Sequence, residues 1–343
     1  MVASNTGRGW RRGWWLLSLG LMALLALGPR VHPTALQVRM PTVPQQPAAL
    51  AAYVDTAERQ AGPLRPDAQA RIVWADPAHP QRTGCAIVYI HGFGASQGEG
   101  APVHRELAHD FGCNLYLARL PGHGLVAPDA MAGLTAQTLL DGAARALAIG
   151  HALGDKVIVI GTSMGGTLAV QLAALAPQQV DALVLWSPLV RERNDALRPL
   201  LWPWGATYLR YAVNHGSVLM KGDPVSNAWA TYTHMDGYTS LVNLTRGSMT
   251  PARYARIHAP VFLGYYYKDE THQDPTVSVA AMRSMLASFG TPAALRVERA
   301  FPDAGAHVIA SPLRSAASEQ VRRATDDFLL RLSPLPRGSA QAP

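Results

Sequence analysis

The sequence predicts an α/β domain, a mostly parallel central sheet flanked by helices and interrupted once by a long insertion. Three observations lead there. From Arg71 onward, short runs rich in β-branched residues alternate with helix-like runs, and no internal repeat is visible. One junction, "VIVIGTSMGGTLAV" (157–170), passes from a β-rich run through glycines grouped around a single serine into a Leu- and Ala-rich run. Between Pro188 and Pro260, about seventy residues pass without an evident core strand, too many for a loop, so they read as a packed insertion. The 343 residues have ample length to bury a core.

Residues 1–40 read as a targeting segment. Arg8, Arg11 and Arg12 precede an uncharged run of 14 residues, 14–27. That length suits the apolar core of a signal peptide; as a helix it would cover about 21 Å of a roughly 30 Å hydrocarbon layer. Ala26 and Gly28 run straight into Pro29, so a clear cleavage box is missing. A cleaved leader and an uncleaved membrane anchor both fit, and either implies export to the periplasm or beyond, with membrane association in the second case. A buried apolar helix suits the cationic front and Pro-rich sequel less well. Residues 41–70 form a linker, with "PTVPQQP" composed as an extended tether, and an N-terminal helix. The core follows in two pieces, 71–188 and 260–332, around the insertion 189–259. The tail 333–343 reads as disordered.

Within the core, "RIVW", "CAIVYI", "NLYLARL", "KVIVIG", "DALVLWSP", "PVFLGYYY" and "ALRVERAF" read as strands. "EGAPVHRELAHDFG" and "TAQTLLDGAARALAIGHALG" read as helices, each closed by a glycine. Cys85 and Cys113 each open an apolar run, so they would sit at similar heights if the two strands are neighbours. They then form either a disulfide in an oxidising compartment or a pair of buried thiols. The insertion carries Trp202, Trp204, Tyr208, Tyr211, Trp229, Tyr232 and Tyr238. Such aromatics either line an apolar pocket or pack the insertion onto itself.

The formal net charge of +7 suggests nucleic acid only until it is located. Arg8, Arg11, Arg12, Arg30 and Arg39 all precede the first acidic residue, Asp55, and the remaining chain is close to neutral. With no basic helix and no Cys/His finger spacing, nucleic-acid binding is not supported.

The chemistry centres on "GTSMG", a G-x-S-x-G pattern between a strand and a helix. There the backbone turns tightly, and Ser163 is held out in a strained bend at a helix N-terminus. Serine needs a base to accept its proton. Of the twelve histidines, His307 is placed for this, in the small-residue loop "FPDAGAHVIASP" after the last strand. A carboxylate after "PVFLGYYY" should orient the imidazole, and Asp274 is favoured over Asp269, with Glu270 third. The N–H groups of Phe93, in "HGFG", and of Met164 would form an oxyanion hole. His91 and His123 read as residues that orient their loops.

In the order Ser…Asp…His, and through "HGFGAS", "RLPGHG", "GTSMGG" and "GAH", the chain resembles the α/β-hydrolase superfamily, most of all its monoacylglycerol lipase and carboxylesterase branch. The resemblance runs from about 71 to 332, insertion excepted. It implies a helical cap over the site, with Ser163 as nucleophile, His307 as base and Asp274 as acid. It departs in the acid loop, where "YYYKDETHQD" is longer than the usual turn. The implied activity is hydrolysis of a small-molecule ester or acyl substrate without metal or organic cofactor. Neither H-E-x-x-H nor a G-x-G-x-x-G after a strand occurs. A peptidase or amidase, an acyltransferase, or a non-catalytic binding protein on the same fold are the alternatives.

Overall fold

The computed structural model describes residues 6–222 and 224–332; the expected disordered tail, 333–343, lies outside them. The strands are β1 (Arg71–Val73), β2 (Thr83–Ile90), β3 (Asn114–Leu117), β4 (Gly154–Thr162), β5 (Ala182–Trp186), β6 (Leu219–Lys221), β7 (Tyr232–His234), β8 (Val261–Tyr265) and β9 (Arg296–Ala300). The helices are α1 (Thr6–Ala26), α2 (Pro47–Gln60), α3 (Val103–Asp110), α4 (Ala136–Leu153), α5 (Met164–Leu175), α6 (Gly205–Tyr208), α7 (Met235–Arg246), α8 (Pro251–Tyr254), α9 (Val279–Ala287) and α10 (Ser318–Leu330).

Seven strands make one sheet in the order β1-β3-β2-β4-β5-β8-β9. Only β1 runs antiparallel to its neighbour. A parallel sheet must be covered on both faces, and the strand sequences show it. Along β2, Ala86, Val88 and Ile90 pack with α4 and α5, while Cys85, Ile87 and Tyr89 pack with α3 and α10. Helix α5 lies under so much chain that Met164 to Ala174 are all buried, which is why its residues are small or apolar on every side except at Gln171, whose amide oxygen accepts from Arg253.

Cys85 in β2 and Cys113 at the entry to β3 form a disulfide, with Cα atoms 4.9 Å apart. The buried-thiol alternative therefore gives way. Side-by-side parallel strands with Ala86 opposite Asn114 bring the two residues within bridging distance.

The linker leads into α2, which opens with proline at a position where no N–H is missed. Glu58 of α2 pairs with Arg119 at 2.7 Å, both side chains being almost fully buried. The end of α1 reaches the insertion: the Trp204 indole N–H donates to the Leu24 carbonyl at 3.0 Å. The large apolar side chains between Trp14 and Leu27 are exposed, contrary to the buried-helix reading. No helix among the described residues is long and apolar enough to cross a membrane.

The insertion is helical as expected, with an addition. Besides α7 and the one-turn α6 and α8, it contains the antiparallel pair β6–β7. His215 and Gly216 take positive φ values of 50° and 85°, turning the chain into β6.

Candidate active site

Parallel strands end at one edge of the sheet, and the loops leaving β2, β4, β8 and β9 meet there. Between β4 and α5, Ser163 has φ 52° and ψ −118°, the strained bend that the glycine pattern predicts. The fold compels it: Ser163 N–H donates to the Trp186 carbonyl at 3.0 Å, and the Ser163 carbonyl accepts from Leu189 at 2.9 Å. Gly165 lets α5 approach β2, since a Cβ there would lie 2.0 Å from the Ile90 carbonyl oxygen.

His307, in the loop after β9, donates from Nδ1 to Asp274 Oδ2 at 2.7 Å. Asp274 is fully buried. Its other oxygen accepts from the Thr276 and Val277 N–H groups at 2.8 and 2.9 Å. Burial alone would raise the Asp274 pKa, yet the His307 charge and these hydrogen bonds hold it below the ordinary carboxylate value. Burial likewise works to lower His307, but the Asp274 charge and hydrogen bond, helped by Glu99, leave it above the ordinary imidazole value. The ring's other nitrogen, Nε2, is buried without a hydrogen-bond partner. His307 and Ser163 line one cavity of about 410 Å³, together with Phe93, Trp229, Tyr238 and Leu241.

The long acid loop has a simple resolution. Residues 267–273 fold back as a small hairpin, with Tyr267 bridged to Gln273 and Lys268 N–H donating to the His272 carbonyl at 2.8 Å. The chain returns to its starting point, and Asp274 N–H donates to the Tyr266 carbonyl at 3.0 Å. Asp269 is spent on this hairpin, accepting from Thr271 and His272 N–H at 2.9 and 2.8 Å, and Glu270 pairs with the Tyr267 hydroxyl. Neither meets His307.

Phe93 sits in a turn closed by Ala95 N–H to the Gly92 carbonyl at 3.3 Å, which also accepts from His91 Nδ1 at 2.8 Å. In a trans peptide the next N–H, that of Phe93, points the opposite way. Met164 is the first residue of α5, where N–H groups lack partners within the helix. His91 accepts from Leu120 N–H through Nε2, and burial keeps it neutral, far below the usual imidazole pKa. His123 holds the Pro121 carbonyl and is pushed down to about 4 by burial. Both histidines orient loops.

Of the seven aromatics in the insertion, Trp229 and Tyr238 line the cavity, whereas Trp202, Trp204, Tyr208, Tyr211 and Tyr232 are exposed. Neither sequence alternative anticipates that exposure. Sequence reasoning also passes over Glu99, a buried carboxyl on the cavity wall. Its signal was available: a lone acid in the small-residue stretch "GASQGEGA". Among the described residues, no group of three or more His, Cys, Asp or Glu could hold a metal ion.

Known proteins give the architecture a context. Over 131 residues the chain is 32% identical to a pimeloyl-[acyl-carrier protein] methyl ester esterase of Nitrosomonas europaea, covering 37% of this chain and 46% of that protein. The chain thus spans less than half the length of this curated relative. A metagenome-derived lipolytic enzyme superposes with a TM-score of 0.60 at 19% identity, covering 78% of this chain and 99% of its own. The monoacylglycerol lipase of Paleococcus ferrophilus gives 0.55 at 15% identity, covering 77% and 98%. At these identities the superpositions speak for the fold. The profile of the alpha/beta hydrolase family matches residues 87–324, from the middle of β2 into α10, and the chain belongs to that family.

Proposed function

We propose that this protein is a serine hydrolase of carboxylic esters, with Ser163 as nucleophile, His307 as base and Asp274 as the acid that orients it. The observation that carries this reading is the 2.7 Å His307–Asp274 bond, with Nε2 left free in a cavity shared with Ser163. Asp274 holds the proton on Nδ1, so Nε2 is the nitrogen able to accept from the serine hydroxyl. Ser163 Oγ attacks the ester carbonyl while His307 takes its proton. The carbonyl oxygen becomes an oxyanion, for which the N–H groups of Phe93 and Met164 are the donors. As the C–O bond breaks, His307 returns the proton to the departing alcohol. Water then attacks the acyl-enzyme through the same base and releases the carboxylic acid.

The preference for esters draws on the relatives named above and on the apolar cavity wall of Phe93, Trp229, Tyr238 and Leu241. Export of the protein is part of the proposal. The Cys85–Cys113 disulfide supports it, since such bonds persist in oxidising compartments, and so does the cationic, then apolar, N-terminal sequence.

The test is labelling with a fluorophosphonate probe beside turnover of p-nitrophenyl esters of graded acyl length and of aminoacyl-anilides. Wild type should be labelled and should cleave esters faster than anilides; Ser163→Ala should do neither. Equal labelling of the alanine variant would remove Ser163 as nucleophile. Faster anilide turnover would replace the esterase with an amidase.

A further inference from the structure

The triad and the two oxyanion donors leave Glu99 without a role, yet its carboxyl lies beside the nucleophile. Glu99 is 2% exposed and lines the cavity with Ser163 and His307. A Cβ placed on Gly92 would lie 2.9 Å from Glu99 Oε1 and 3.3 Å from Ser163 Cβ, so carboxyl and nucleophile flank one peptide unit. Two donors from β2 and the loop that leaves it converge on it. Gly92 N–H donates at 2.6 Å from the oxyanion loop, and the Tyr89 hydroxyl at 3.3 Å from β2. The Trp229 indole, from the insertion, shares the cavity wall with it and favours its ionised form. Trp229 stands where insertion and loop join: it bridges to Ala95, and Ala230 N–H donates to the Gly94 carbonyl at 2.7 Å.

We propose that Glu99 is a positioning residue, whose carboxyl fastens the oxyanion loop to the insertion beside Ser163 and lends negative charge to the imidazolium formed on His307 during turnover. The proposal rests on the hydrolytic reading above and adds one ionisable group to its site. The Phe93 N–H is aimed by the Gly92–Phe93 peptide. His91 and Ala95 hold the carbonyl of that unit, and Glu99 holds the preceding N–H, so the loop is pinned from both sides. A buried carboxyl with its lone pairs engaged is expensive to leave half satisfied, which resists any drift of the loop.

The charge matters as much as the contacts. Burial pushes Glu99 up to about 7, against the pull of the Gly92 N–H and His307, while His307 is held above the ordinary imidazole value. Each charge favours the other, so the ionised Glu99 stabilises a protonated His307. The other ionisable groups around Glu99 stay fixed there. Tyr89 keeps its proton, because burial and the Glu99 charge raise it well above the usual phenol value. His104, against the Tyr89 ring at 4.7 Å, is pushed down to about 3 by burial and stays neutral. Asp274, behind His307, stays ionised. Arg314 lies over the Trp229 ring, 5.1 Å from its centroid, on the insertion side.

The experiment compares Glu99→Gln, which keeps shape and acceptor without the charge, with Glu99→Ala, which removes both. Both variants of the full chain are assayed on p-nitrophenyl butyrate across pH 5 to 9. E99A should lose about tenfold or more in kcat with KM little changed, as a loosened oxyanion donor requires. E99Q should recover most of that loss, while its acid limb moves down by about 1 pH unit because His307 has lost a neighbouring charge. The rate of fluorophosphonate labelling should follow the same shift. An E99Q acid limb superimposed on that of wild type, or an E99A kcat equal to wild type, overturns the proposal. Wild type inert toward both ester and probe would instead remove the hydrolytic reading. Should either variant fail to fold, carboxyl ¹³C spectra of wild type decide: one glutamate should titrate near neutrality, and a set titrating only in the ordinary range overturns the assignment.

Discussion

Replacing Asp274 by asparagine isolates the tautomer argument, because the surrounding hydrogen bonds dictate how the new side chain must sit. Thr276 and Val277 both donate to Oδ1, at 2.8 and 2.9 Å. An asparagine must therefore offer its carbonyl oxygen to those donors and turn its NH₂ toward His307 Nδ1. Two donors cannot face each other, so the imidazole proton moves to Nε2, the nitrogen that accepts from Ser163 in the proposed mechanism. The wrong tautomer in a Ser-His-Asp site costs about 10⁴ in kcat. That corresponds to about 5 kcal/mol of transition-state stabilisation. Stability should change far less, by about 1–2 kcal/mol, since volume and backbone hydrogen bonds are kept. The assay is kcat on a short-chain p-nitrophenyl ester, with urea unfolding alongside and Asp269→Asn as comparator. Asp269 is occupied within its own hairpin, so that variant should stay within about twofold of wild type, as for a surface change away from the site. A D274N protein retaining more than about a tenth of wild-type kcat, or a D269N loss of equal size, would refute the argument.

Activity should rise with pH through a midpoint above the ordinary imidazole value, because the neutral ring is the proposed base and Asp274 raises its pKa; a kcat/KM profile measures this. Stability should fall as pH drops below 6.5. Burial holds His91 well below that value, His104 at about 3 and His123 at about 4, so the unfolded chain takes up protons that the fold refuses. Glu99, raised by burial to about 7, works in the opposite sense. The net uptake of about two protons implies a loss of about 2.7 kcal/mol per pH unit around pH 5 to 6. Urea titrations at two pH values in that window check it, and a flat response would show the imidazoles charging inside the fold. The disulfide closes a sequence separation of 28 residues, for which chain entropy gives about 3–4 kcal/mol. Cys85→Ala/Cys113→Ala should lower the unfolding free energy by that amount, whereas an unchanged urea midpoint would mean that the bridge constrains little.

Features legible in the sequence are local ones. The seven core strands follow from apolar runs bounded by turn residues, and the bend at Ser163 from glycines that admit a close helix–strand approach. His91 and His123 were legible as loop residues for the same reason, each bonding to carbonyls within a few positions of itself. The insertion was legible as an insertion, but its β6–β7 pair was not. Three-residue strands in an aromatic-rich segment carry too little periodicity to stand out.

The sequence by itself determined the sheet, the strained serine and the order of chemistry-bearing loops, because neighbouring residues impose these through sterics and burial. Tertiary structure alone decided which acid meets His307, whether the two cysteines bond, and that Glu99 shares a cavity with Ser163. Each of these depends on distance between segments far apart in the chain. A hairpin that folds seven residues out of the way, 267–273, changes Asp274 from distant to adjacent without altering any local preference.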